Sequence, residues 1–224
     1  MPAVVSRTDG SCSAGTSEAD GSRRWSRLSK KLRKRSRISS DVMGRMQSRL
    51  RPPHVTSTRV VYENRWMRVH EDQLEREDGS PGLYGWIEKG PAAIIVPLDG
   101  EHVWLVEQYR HPVGQRFWEF PQGAWEDDPG ASAVDLARGE LAEETGLRAS
   151  SLERLGRLYF AYGFSNQPVD VWRATGLEPG PQALESTEAG LIVRRFSVTA
   201  VEDMIRTNEI RDAASVAAWH LCAK

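Results

Sequence analysis

Cysteine is nearly absent: the 224-residue chain has two, Cys12 close to its start and Cys222 close to its end. Two such thiols cannot form a disulfide framework or a thiolate metal site of the usual spacing, so a reducing, cytoplasmic setting is expected. Long apolar runs are missing as well. The longest, from Ala92 to Leu98, falls far short of the roughly 20 apolar residues that carry a helix across a bilayer. No apolar segment of the secretory type opens the chain. Histidine is scarce, and none of the five stands at zinc-ligand spacing from a carboxylate or a cysteine.

What is present is an ordinary globular composition, 39% hydrophobic and 27% charged, with the length of one core domain plus an appendage. The net charge of -1 conceals an asymmetry, because residues 1–52 carry thirteen Lys/Arg against four Asp/Glu. That head is therefore +9 and the remainder -10. Its first 22 residues are mostly small and polar and have too little to bury to offset the entropy of ordering, so disorder is expected. From Arg23 to Arg37, Trp25, Leu28 and Leu32 lie at helical spacing among dense positive charge. Three readings stand for this head: a solvated basic tail, a contact for nucleic acid or an anionic membrane, and a targeting segment. Met43 and Met46 offer alternative starts within it. Arg51-Pro52-Pro53 breaks any helix and divides a tail of residues 1–52 from a domain of residues 53–224.

The domain begins with short β-type runs: Thr58–Tyr62, Met67–Leu74, Leu83–Glu88, Ala92–Pro97, His102–Tyr109 and Phe117–Phe120, with Asp78-Gly79 and Asp99-Gly100 as turn dipeptides. A helix is expected over Ala133–Thr145, opened by a Ser132/Asp135 capping box and closed by Gly146. Further strands are expected at Leu152–Phe160, Val169–Ala174 and Leu191–Val198. Two helices follow, one capped by Thr199/Glu202 and one beginning near Asp212. This order is that of an α+β layered fold with a mixed sheet.

Within the central helix Glu140, Glu143 and Glu144 stand at i, i+3 and i+4, so the three carboxylates share one side, with Val134, Ala137 and Leu141 on the opposite stripe. Like charges at this spacing cost about 0.2–0.5 kcal/mol per pair, and the helix dipole disfavours anions in the last turn. A hard divalent cation such as Mg²⁺ compensates both, since it takes oxygen ligands and pairs with substrate phosphates. A solvated acidic helix face is the other reading of three glutamates alone.

The surrounding segment runs from Gly123-Ala124-Trp125-Glu126-Asp127-Asp128-Pro129-Gly130 to Ala137-Arg138-Gly139-Glu140-Leu141-Ala142-Glu143-Glu144-Thr145-Gly146-Leu147. It resembles the Nudix box, in which a glycine loop leads into a helix reading Arg-Glu-aliphatic-any-Glu-Glu-any-Gly-aliphatic. Spacing is matched at Glu140, Leu141, Glu143, Glu144, Gly146 and Leu147. The loop is two residues longer than the pattern, Gly139 stands at its arginine, with Arg138 one residue early, and Ala131 stands at its first glutamate. Support for the loop is then expected from Arg138 with Glu126, Asp127 or Asp128. The resemblance implies a Nudix-like α/β/α sandwich with a mixed β-sheet and a central loop-helix catalytic motif. It also implies Mg²⁺, with Mn²⁺ as a substitute, on Glu140, Glu143, Glu144 and the carbonyl of Gln122, and a catalytic share for Glu143.

Flanking segments resemble the ADP-ribose and nucleotide-sugar pyrophosphatases: Gln108-Tyr109-Arg110, Trp118-Glu119-Phe120-Pro121-Gln122-Gly123, Gly163-Phe164-Ser165-Asn166 and Asn208-Glu209-Ile210-Arg211-Asp212-Ala213. Tyr162 and Gln167 depart from the ADP-ribose-specific pattern, which has proline and usually glutamate there. The implied reaction is hydrolysis of the pyrophosphate of a nucleoside diphosphate linked to another group, ADP-ribose or another nucleotide sugar. Arg110 and Glu119 are then expected to face the substrate, although a surface cation and a turn brace are their plain readings. Trp125, in a polar loop, is the tryptophan open to base stacking. The general base is expected on the loop Glu185-Ser186-Thr187-Glu188, at Glu188 ahead of Glu185. The resemblance also implies a homodimer. A nucleotide-sensing module without turnover is the alternative, motivated by Gly139 and Ala131.

Overall fold

The expected strands assemble into two sheets of different character. In the computed structural model, which describes residues 52–124, 130, 132–184 and 188–223, β1 (His54–Glu63), β2 (Arg68–Glu75) and β3 (Pro81–Glu88) form an antiparallel meander. No residue of β1 is buried, and its pairing with β2 is interrupted by two register shifts. The head, residues 1–51, lies outside the described residues, as do Trp125–Pro129, Ala131 and Glu185–Thr187.

The second sheet contains β4 (Ala92–Asp99), β5 (His102–Arg110), β6 (Gln115–Glu119), β7 (Gln122–Gly123), β8 (Leu147–Tyr159), β9 (Pro168–Pro179) and β10 (Ile192–Ser197). Its order is β10-β5-β4-β9-β8, with β6 paired to β5 and β7 to β4. Because β4 and β9 run parallel while every other pair is antiparallel, the sheet is mixed. β7, only two residues long, was invisible to periodicity.

β4 explains the layering. Its side chains alternate between two apolar clusters, as a strand buried on both faces must. Ala92, Ile94 and Val96 pack with Phe120, Val201, Met204, Ala214 and Ala218, whereas Ala93 and Ile95 pack with Leu136, Ala137, Leu141 and Trp172. Val201 and Met204 belong to α2 (Val198–Arg206), Ala214 and Ala218 to α3 (Ala213–Cys222), and Leu136, Ala137 and Leu141 to α1 (Ala133–Thr145). A helix on one face and two on the other make the expected α/β/α sandwich. Each fully buried Ile or Leu contributes about 2 kcal/mol to it. Among the described residues no helix is long and apolar enough to cross a membrane.

α1 has the expected limits. Ser132 accepts from the Asp135 amide at its start, and Gly146 closes it in the left-handed region at φ 69°. A side chain at Gly146 would be strained by that φ and would also meet the Gly180 carbonyl at 2.8 Å. Gly146→Ala is therefore expected to lower unfolding free energy by about 2 kcal/mol, as urea titration would show; an unchanged midpoint would contradict it. α2 differs from expectation. Ser197, not Thr199, is its cap and accepts from the Ala200 amide. The helix begins earlier because Val198 donates to the Glu101 carbonyl at 2.9 Å, which fixes the turn out of β10. α3 begins at the expected cap, Asp212.

Candidate active site

α1 lies on the sheet with Leu136, Ala137 and Leu141 buried, and it buries Glu140 and Glu144 beside them. The carboxylate stripe is thus not opposite the packing face, as expected, but shares it. Glu140 is 4% exposed and Glu144 is 1% exposed. Burying a carboxylate costs several kcal/mol without compensating partners, so the surroundings of these two decide what the helix is for.

Glu144 receives two donors. Its Oε2 accepts from the backbone N–H of Gln122 at 2.9 Å, and its Oε1 lies 3.5 Å from Gln108 Nε2. The charged neighbours that act on it most, Glu140, Glu188 and Glu119, are acidic. Burial first, and then Glu140, push the Glu144 carboxyl well above the usual range, with the Gln122 N–H opposing them. Glu140 is seated against Gly123: a β-carbon there would fall within 2.7 Å of all three of its carboxyl atoms. Glu188, half-buried beyond β9, completes the group, since oxygens of Glu140, Glu144 and Glu188 lie within 4.8 Å of one another.

The sequence-based set is only partly gathered here. Glu143 lies outside that group, half-buried, with its main-chain carbonyl accepting from Ala183 at 3.2 Å. Gln122 is at the site through its backbone, while its side chain donates to Asp212 at 3.0 Å. Its Oε1 is buried and has no partner among the described residues. Trp125 and Glu185 lie outside the described residues.

Arg110 and Glu119 face each other. The guanidinium donates to Glu119 through Nε at 3.2 Å and through Nη2 at 2.5 Å, and Gln108 adds a third donor at 2.8 Å. Burial raises the Glu119 carboxyl, against the pull of Arg110. For Arg110 burial acts to lower the pKa, but the charge and hydrogen bonds of Glu119, with the charges of Glu144 and Asp212, together outweigh it and raise it. The Arg110 side chain remains 40% exposed, so the fork retains an open side. Gln108 bridges Glu119 and Glu144; sequence reasoning quoted it without giving it a role.

Three converging carboxylate oxygens, two of the three acids buried, and an unpartnered amide oxygen on the adjoining strand fit a hard divalent cation. They do not fit a solvated acidic face. Residues 88–219 match the NUDIX domain, and residues 54–87 match the nucleoside diphosphate sugar hydrolase N-terminal domain. The chain belongs to the Nudix family. An ADP-ribose pyrophosphatase of Mycobacterium tuberculosis is 35% identical over 163 residues, 72% of this chain and 78% of that one. The ADP compounds hydrolase NudE of Escherichia coli is 26% identical over 179 residues, 79% and 94% of the two chains. A crystal structure of an ADP compounds hydrolase superposes with TM-score 0.68 at 26% identity, covering 78% of this chain and 94% of the other.

Within this Nudix domain the contact between Gly123 and Glu140 joins the box's glycine to its first helical glutamate. The loop acids expected to pair with the shifted arginine, Glu126, Asp127 and Asp128, lie outside the described residues. Arg138 donates to Asp135 at 3.1 Å, one turn back on the exposed face of α1, because its position, next to the buried Ala137, points to solvent. As a Nudix hydrolase the chain requires a divalent metal ion, and Glu140, Glu144 and Glu188 are the described acids able to hold one.

Proposed function

We propose that this enzyme hydrolyses the pyrophosphate bond of a nucleoside diphosphate linked to a sugar, ADP-ribose or another, releasing a nucleoside monophosphate and a sugar phosphate. The gathering of Glu140, Glu144 and Glu188 carries this reading. The metal, Mg²⁺ with Mn²⁺ as substitute, supplies neutralisation of the diphosphate and a water of lowered pKa. The chain's own residues do the rest. Glu140 and Glu144 are held rigid by Gly123 and by the Gln122 N–H. Arg110, oriented by Glu119, offers the open side of its guanidinium to a diphosphate, whose geometry suits a planar fork.

Glu188, less buried than the helix pair, is the base in this reading, with Glu185 and Glu143 as the alternative catalytic acids and Trp125 as the residue to stack on the nucleobase. Glu188→Gln is expected to lower kcat about 10²-fold or more with KM little changed, measured as nucleoside monophosphate released from a panel of nucleotide sugars and dinucleotides. Release at the unaltered rate would move the base elsewhere. Nucleotide binding without any release by the wild-type enzyme would favour the sensing module.

The reading includes a homodimer in the cytoplasm. The half-exposed Val55, Val60, Val61 and Tyr62 on β1, and the aromatic cleft of about 320 Å³ lined by Tyr84, Trp86, Tyr159, Tyr162 and Phe164, are apolar surface that a second copy would cover. Residues 1–52 are a separate basic tail, and a contact with nucleic acid or an anionic membrane rests on their charge alone.

A further inference from the structure

α3 reaches the carboxylate site through a side chain that the reaction above leaves unused. Asp212 Oδ2 accepts from the backbone N–H of Ser215 at 2.8 Å and from the Ser215 hydroxyl at 2.7 Å. A helix cap needs only the first of these. The same oxygen accepts from Gln122 Nε2 at 3.0 Å. Ser215 Oγ in turn accepts from the backbone N–H of Phe120 at 2.9 Å. Both ends of Phe120–Gln122 are thereby tied to the first turn of α3, in a region where Phe120, Gln122 and Ser215 are buried.

That segment is the one on which the site depends. The Gln122 N–H donates to Glu144, and the next residue, Gly123, seats Glu140. Yet β7 pairs with β4 only through Ile94↔Gln122 and Ala93↔Gly123, extended by one bond from the Ile95 N–H to the Pro121 carbonyl at 2.9 Å, a short ladder to fix its own position. The tie from α3 supplies what the ladder lacks. Asp212 is also close enough to strengthen the charge on Arg110 and to raise the Glu119 carboxyl.

We propose that Asp212 is a positioning residue: through Gln122 it holds the β7 amide on Glu144 and so sets how tightly the site takes a divalent cation. The proposal rests on the metal site described above. Partners one step removed from metal ligands are typically worth 10–100-fold in metal affinity.

The test is Mn²⁺ binding to the purified full chain, by calorimetry, beside its melting temperature. Gln122→Met cuts the tie while leaving the backbone and the α3 cap intact, but it also removes the buried Gln122 Oε1, so Asp212→Ala, which leaves that oxygen, is the deciding variant. Gln122→Met is expected to raise the Mn²⁺ dissociation constant about 10-fold with little change in melting temperature. Asp212→Ala is expected to raise it equally and to melt earlier through loss of the cap. Asp212→Asn, which keeps an oxygen in place, is expected to recover most of the affinity. The double variant Gln122→Met/Asp212→Ala is expected to bind no worse than either single, because both cut one link. Unaltered Mn²⁺ affinity in Asp212→Ala or in Gln122→Met, or a double variant that loses the product of the two singles, overturns the role of Asp212 alone. If the wild-type chain shows no Mn²⁺ binding that Glu144→Gln removes, the metal site itself fails and this role with it.

Discussion

Glu144→Gln is expected to lower kcat/KM for the preferred nucleotide sugar about 10³-fold while leaving the metal-free protein at least as stable as wild type at neutral pH. The loss of rate follows from removing one of the two buried acids of the site: a bound cation is worth several kcal/mol of transition-state charge stabilisation, and each 1.36 kcal/mol is tenfold in rate. The stability expectation has the opposite sign for a reason visible in the fold. Glu144 is buried among Glu140, Glu188 and Glu119, and its carboxyl is pushed well above the usual range. A group whose folded pKa exceeds its unfolded value contributes stability that is complete below the unfolded value and is lost as pH rises through the folded one. In EDTA, wild-type unfolding free energy should therefore decline as pH rises from the ordinary carboxylate range, and the decline should be smaller in the variant, which keeps the acceptor for the Gln122 N–H but has no charge to bury. Added Mn²⁺ should reverse the order by stabilising only the wild type. Denaturation curves at several pH values, with and without metal, would show this. A variant that turns over substrate at the wild-type rate would take this carboxylate out of the chemistry.

What was readable in the sequence divides by range. α1, from Ala133 to Thr145, matches its expected limits because its signals are local: Ser132 and Gly146 act within a few residues of the helix ends. The pair Glu140/Glu144 was equally legible, since i and i+4 lie about 40° apart around a helix. Glu143 was grouped with them by the same spacing, yet it sits about 60° from Glu140 on the side away from Glu144. Periodicity gives that angle but not which side is covered: Glu140 is buried and Glu143 only half-buried. Ser197 displaced the equally well-formed Thr199/Glu202 box because a contact to Glu101, distant in sequence, fixes the exit of β10. Glu188 entered through family resemblance rather than from any local pattern. The ties from Gln108 to Glu144 and from Gln122 to Asp212 join residues 36 and 90 positions apart, and no window along the chain contains them.

The most local of the site's requirements is also the harshest to break. At Gly123 an added methyl group would lie within 2.7 Å of the carboxyl atoms of Glu140. The neighbour is the end of a side chain, so the fold can survive the substitution if that carboxylate swings away. Swinging away takes it from the oxygens of Glu144 and Glu188 that lie within 4.8 Å of it. Gly123→Ala is therefore expected to fold, with a melting temperature near that of wild type, and to lose about 10²-fold or more in kcat, the scale that a displacement of about 1 Å costs a positioned catalytic group. Gly90 provides the control, since nothing lies within 4 Å of a β-carbon added there and Gly90→Ala should leave both quantities unchanged. Steady-state rates at saturating Mg²⁺, with melting curves for each variant, separate the outcomes. Full activity in Gly123→Ala would mean that Glu140 can ligate from elsewhere and that the close seat on β7 is packing alone. Lost activity with an intact fold would make this glycine an element that aims the box's first helical glutamate.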